Sequence, residues 1–141
     1  MSPTAIFWPM IALTFLIYCV YALLFIRRRQ SVVSGQAKIQ EFIIPTKEPE
    51  ISATTIRNLS NLYEVPMLFY VVCLSLYAVN GVSFLAVLIA WLFVGMRIAH
   101  TLIHVTSNRL RYRQPIFTLG FILNGILWII LAMHLLLPSA A

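Results

Sequence analysis

Four long apolar runs separated by polar breaks organise this chain, at about residues 5–26, 52–79, 83–107 and 115–137. A hydrocarbon layer of about 30 Å takes ~20 apolar residues in helical form, so each run predicts a membrane-spanning helix. The second run is strongly apolar only from Val65 to Val79, and reaches full length through a polar, helix-compatible lead-in from about Ser52. The connections after the first are short, which makes consecutive helices antiparallel. The expected fold is all-α, an up-down-up-down four-helix transmembrane bundle forming one domain over residues 1–141.

Polar positions inside these runs are few, and their spacing is informative. Counting outward from Asn80-Gly81, sixteen steps reach Glu64 and Arg97, nineteen reach Asn61 and His100, and twenty-three reach Arg57 and His104. If Asn80-Gly81 is a tight turn, two antiparallel helices carry three polar pairs at matching heights. Arg57, Asn61 and Glu64 fall at i, i+4, i+7, and Arg97, His100 and His104 at i, i+3, i+7, so each set lies on one helix face. Sixteen residues rise about 24 Å, which puts Glu64 and Arg97 inside the hydrocarbon layer, where an ionisable group marks a functional site. A Glu64–Arg97 ion pair that only locked two helices together would require one such level, and the chain supplies three.

Composition agrees with a membrane protein: 61% of the 141 residues are hydrophobic and 10% charged, against roughly 25% charged in soluble domains. The net charge of +6 does not indicate nucleic acid, because the cations cluster at span ends, where lipid headgroups accept them. Arg27, Arg28, Arg29, Lys38, Lys47 and Arg57 lie in or beside the first connection, Arg109, Arg111 and Arg113 in the third, and none in the second. The positive-inside rule then puts both termini on the non-cytoplasmic side, with Arg27 to Arg29 as an anchor. The first span has no basic residue before it and no small-residue cleavage site after it, so it is expected to stay as an anchor and not to be removed as a signal. Cys19 and Cys73 sit in apolar runs without a redox spacing and are expected to pack. The first connection, with Gly35, Pro45, Pro49 and three of the four acidic residues, reads as a solvated loop.

The chemistry follows from the charge balance. Continuing the third helix past His104 keeps Ser107 and Arg111 on its polar face, with Arg109 and Arg113 flanking, so the mouth holds several guanidinium groups and one carboxylate, Glu64. Arginine forks suit a small polyanion carrying carboxylates, and Glu64 suits its ammonium group. A metal site at His100 and His104 is disfavoured by Arg97 one turn away, and no metal is assigned. Pro66 is expected to bend the second helix beside Glu64 and open a cavity. Ala86-x-x-x-Ala90 and Gly95-x-x-x-Ala99 predict close packing along the third helix. Asn124 is expected to hydrogen-bond between helices and His134 to be an interfacial residue.

The run Arg57-Asn58-Leu59-Ser60-Asn61-Leu62-Tyr63-Glu64-Val65-Pro66, with Gly95-Met96-Arg97-Ile98-Ala99-His100-Thr101 later, resembles the membrane-associated proteins in eicosanoid and glutathione metabolism (MAPEG), in particular a bacterial-type member similar to microsomal glutathione transferase and prostaglandin E synthase. The resemblance spans essentially the whole chain. It implies a homotrimer in the bacterial inner membrane, with glutathione as cosubstrate bound between subunits at the cytoplasmic side. It also implies that Arg57, Asn61, Glu64, Arg97, His100, His104 and Arg109 line the site and that Arg113 sits near the thiol, favouring the nucleophilic thiolate. Gapless counting favours Arg109 and Arg113 for contact with the ligand, whereas helical periodicity favours Arg111. Ser60 stands where eukaryotic relatives often have Arg, and His104 where Tyr is frequent.

Two functions of different classes fit this pattern: a glutathione-dependent transferase or peroxidase acting on lipophilic electrophiles that arrive from the bilayer, and a non-catalytic lipid-binding or scaffold protein of the same fold. They separate on whether bound glutathione loses its thiol proton. A four-helix drug exporter is disfavoured by the first span, which has no acidic residue.

Overall fold

In a computed structural model that describes residues 2–42 and 48–137, four helices account for most of the described residues. They are α1 (Phe7–Val33), α2 (Glu50–Ala78), α3 (Phe84–Val105) and α4 (Leu110–Leu136), with single 3-10 turns at Pro3–Ile6 and Ile39–Phe42. No strand occurs among the described residues, and each of the four helices is long and apolar enough to cross a membrane. Pro45 and Lys47 of the first connection lie outside the described residues.

Each helix stops for a local reason. Gly35, at φ +74°, ends α1, and the following Gln36 N–H returns to the Ser31 carbonyl at 2.9 Å. Pro49 caps α2 with an extended backbone, ψ 145°, and its ring disfavours helical geometry in the residue before it, while Glu50 complements the helix dipole in the first turn. At the other end Asn80 takes φ +55° and Gly81 N–H closes on Leu76 O at 2.8 Å, the tight turn that the dipeptide predicts. The Ser83 hydroxyl accepts the Ala86 N–H at 3.1 Å and so caps α3.

Beyond α3 the structure departs from the sequence reading. Asn108 adopts φ +48° and its N–H closes on Ile103 O at 2.7 Å, so α3 ends at Val105 and does not continue through Ser107. Helix α4 begins at Leu110, five residues before the expected position, and takes Pro115 into its second turn. That proline is tolerated because the carbonyl it leaves unpaired belongs to Arg111, at the exposed end of the helix. Arg111 and Arg113 are therefore residues of α4 and not of a connecting loop.

Helix α1 packs mainly on α2, and α3 on α4, around a core in which Phe69 and Phe93 stack at 4.5 Å. Leu13, Ile17, Val20 and Leu24 give α1 its buried stripe, at the i, i+4, i+7, i+11 spacing of one helix face. Trp8, Phe15, Tyr18 and Phe25 on the opposite face are exposed, as residues facing lipid would be. Cys73 is buried, but Cys19 points outward and does not pack. Ala86 and Ala90 are fully buried and permit the close approach, whereas Gly95 faces open space, so only the first small-residue pair packs inside the subunit. His134 is more than an interfacial residue: its Nε2 lies 3.1 Å from Val79 O, and a methyl group at Gly81 would come within 2.9 Å of its ring. The α2–α3 turn is thereby tied to α4.

Two members of the Arg27 to Arg29 run also do more than anchor. Arg27 Nη1 donates to Thr55 at 2.7 Å and Thr54 at 3.1 Å, and its Nη2 donates to Val105 O at 2.6 Å, capping the last turn of α3. Arg28 makes a bidentate pair with Glu48, at 2.9 and 2.8 Å. That hydrogen-bonded guanidinium holds the Glu48 carboxyl below the usual carboxylate range.

Candidate functional site

At the arginine-rich end of the bundle, α2, α3 and α4 enclose two concavities that share Asn61 and Arg113. One, of about 350 Å³, is lined by Arg57, Ser60, Asn61, Glu64, His104 and Arg113. The other, of about 210 Å³, is lined by Asn61, His100, Arg113, Gln114 and Phe117. Of the paired levels counted from Asn80-Gly81, Arg57 and His104 both line the first and Asn61 and His100 both line the second.

The third level does not meet. Arg97 is 1% exposed, and Glu64 lies on the exposed face of α2, so the expected Glu64–Arg97 pairing is absent within the subunit. The direct α2–α3 polar tie is instead Asn58 Nδ2 to Thr101 Oγ1 at 3.2 Å. Those residues stand twenty-two and twenty steps from the turn, so the contact register is offset by two. The α2 face that packs is that of Asn58, Leu62, Val65 and Phe69, which rotates Glu64 outward. Pro66 is itself buried in that packing, and the concavities lie beside the turns preceding it.

Arg97 is held by aromatic faces. Its guanidinium carbon lies 5.0 Å from the Phe93 ring centroid and 4.9 Å from that of Phe117, while Nε, Nη1 and Nη2 have no hydrogen-bond partner among the described residues. Phe117 connects this buried cation to the site, because its ring also packs against His100 at 5.6 Å and lines the smaller concavity. Asn124 is buried as well, but its Oδ1 lacks the interhelical hydrogen bond expected of it.

Arg113 is half-buried and fixed at one nitrogen. Its Nη1 donates to Asn108 Oδ1 at 2.6 Å and lies 3.3 Å from His104 Nε2. Arg109 instead occupies the cap of α4, and Arg111 is exposed, 5.8 Å from the Tyr112 ring. Asn108, Gln114 and Phe117 escape the sequence reading. Asn108 owes its position to a left-handed loop conformation and Gln114 to an early start of α4, which no apolar periodicity announces; Phe117 falls within the expected fourth span, but span length does not give its facing.

A model of the MAPEG family matches residues 6–133. The chain belongs to the MAPEG family. Searches of curated proteins and of solved structures return no match. Family membership, together with four helices of membrane-crossing length and composition, makes this MAPEG chain an integral membrane protein related to glutathione and eicosanoid metabolism. The larger concavity at the arginine-rich end of these helices is lined by two guanidinium groups, Arg57 and Arg113, and a single carboxylate, Glu64.

Proposed function

We propose that this MAPEG protein is a glutathione-dependent transferase, with peroxidase capacity, acting on lipophilic electrophiles. The observation that carries the reading is the convergence of Arg57, Asn61, Glu64, His104 and Arg113 on one concavity. Glutathione offers two carboxylates to the guanidinium groups and one ammonium to Glu64. Arg113 is the residue nearest the thiol in this reading, with Arg109 and Arg111 as its rivals, and His100 and Arg97 lie deeper along the same track.

In the transfer step the thiol proton leaves to solvent at the open mouth, and the thiolate remains beside the Arg113 cation. The sulfur lone pair then forms a bond to the electrophilic carbon while the leaving group departs with its electron pair. With a hydroperoxide, sulfur attacks oxygen, the alcohol leaves, and a second glutathione converts the sulfenic product to disulfide and water. The electrophile enters laterally from lipid, where its concentration is highest.

The active assembly in this reading is a homotrimer. Arg57 and Glu64 stand on the exposed face of α2 at or below the membrane boundary, where contact with hydrocarbon costs several kcal/mol. A neighbouring copy covering that face, with glutathione between the two, removes the cost. In this reading the resemblance to bacterial-type members puts the protein in the bacterial inner membrane, and the cations of connections one and three put both termini on the non-cytoplasmic side. Single cysteines at Lys38 and Ser107, in a background with Cys19 and Cys73 replaced, should react with an impermeant maleimide only after the cells are opened. Labelling in intact cells would reverse the orientation.

The functional reading is tested by turnover of a chromogenic chloronitroarene in proteoliposomes. Conjugation should require glutathione and saturate with it. A rate equal to that of empty liposomes across several electrophiles, with glutathione binding intact, would favour the lipid-binding class.

A further inference from the structure

We propose that the groove beside the arginine-rich end of α1 is a binding site for an anionic phospholipid. The groove measures about 590 Å³ and its walls are largely apolar, formed by Phe25, Ile26 and Val33 of α1 and Ile51 of α2. Phe25 is 70% exposed, Ile26 51% and Val33 79%, so no packing among the described residues covers these side chains.

A cation sits in the middle of this apolar surface. Phe25, Arg29 and Val33 follow at i, i+4, i+8, one turn apart on the same face of α1. Arg27 is consumed by Thr54, Thr55 and the Val105 carbonyl, and Arg28 by Glu48. Arg29 has no hydrogen bond or ion pair among the described residues, although it is the third member of the same run. The described carboxylates of the first connection, Glu41, Glu48 and Glu50, line a separate concavity, and no acidic side chain lines this groove.

The occupant that fits is amphipathic and negatively charged. A guanidinium fork binds a phosphate through two parallel hydrogen bonds, and the Gln30 side chain in the same lining supplies a further donor. Apolar side chains on both sides of the cation keep water from the contact and accept acyl chain. The groove stands at the last turns of a helix about 40 Å long by its 27 residues, hence at the headgroup level of a layer about 30 Å thick. A zwitterionic lipid carries its own cation beside the phosphate and gains less from Arg29. This assignment is independent of glutathione.

The test is native mass spectrometry of the full chain released from detergent, titrated with phosphatidylglycerol or with phosphatidylcholine of the same acyl chains. The wild type should retain phosphatidylglycerol in preference. Arg29→Gln should lower that preference about fivefold, the effect of one basic residue at an anionic surface. Arg29→Lys should keep most of it. Lys38→Gln makes the same charge change outside the groove and should leave the preference intact. Equal loss in Arg29→Gln and Lys38→Gln would overturn the site in favour of diffuse attraction. So would displacement of the lipid by equimolar inorganic phosphate, or loss of the oligomer in Arg29→Gln, which would make the groove a contact between copies.

Discussion

Arg113→Ala is expected to lower turnover at saturating glutathione by about 10²- to 10³-fold, the loss typical of removing one donor that faces developing negative charge. Glutathione affinity should change far less, because the interaction of Arg113 grows as the thiol becomes thiolate. The structure adds a control that the sequence does not supply. Asn108 Oδ1 accepts from Arg113 Nη1 at 2.6 Å while Asn108 itself occupies a left-handed conformation, φ +48°. Asn108→Gly keeps that conformation and removes only the side chain, so it should lower turnover in the same direction as Arg113→Ala, to a smaller degree, without loss of fold. Arg57→Ala should raise the glutathione concentration needed for saturation and leave the maximal rate nearly unchanged. Initial rates against glutathione concentration for Arg109→Ala, Arg111→Ala and Arg113→Ala decide the assignment. Equal maximal rates in all three would remove arginine from thiolate activation.

The second large effect is expected at Arg97. Its guanidinium is buried between Phe93 and Phe117 with no hydrogen-bond acceptor among the described residues. An unpaired charge in that setting does not stabilise the fold, so Arg97→Leu should leave the thermal midpoint unchanged or raise it. Binding should respond in the opposite direction. A ligand carboxylate at the level of His100 is one helical turn away, about 5.4 Å, where two opposite unit charges at an effective dielectric of about 20 attract by roughly 3 kcal/mol. Glutathione affinity should accordingly fall about 100-fold. Calorimetric binding and thermal melts of the same preparation check both halves. A variant that melts much lower and binds glutathione normally would assign Arg97 to the fold alone.

How much of this was legible beforehand depends on the kind of signal. The four spans follow from length and apolar content, and the α2–α3 turn from Asn80-Gly81, because hydrophobic burial and turn stereochemistry are local properties of the sequence. The facing of the stripes was less legible. Two helices can be antiparallel at matched heights and still present rotated faces, and here the pairing of Asn58 with Thr101 turns Glu64 away from Arg97. Equal spacing from a turn gives depth along the bundle and does not give azimuth. The start of α4 was hidden for another reason: residues 111 to 114 are polar and precede a proline, which reads as loop. The helix continues through them because its end is exposed and an unpaired carbonyl there can be solvated. That early start puts Arg113 and Gln114 on the helix beside Phe117, where they line the concavities, and leaves Arg111 outside them. The run of three arginines looked uniform in sequence, yet its members cap α3, bind Glu48 and stay free, in that order.

The central claim, that this MAPEG chain binds glutathione and ionises its thiol, is tested most directly by ultraviolet difference absorbance of the purified wild-type protein on adding glutathione near neutral pH. The thiolate absorbs where the thiol does not. A saturable thiolate band is expected, strongly reduced in Arg113→Ala at a glutathione concentration that still fills the site. Saturable binding of glutathione with no thiolate band at any concentration would contradict it.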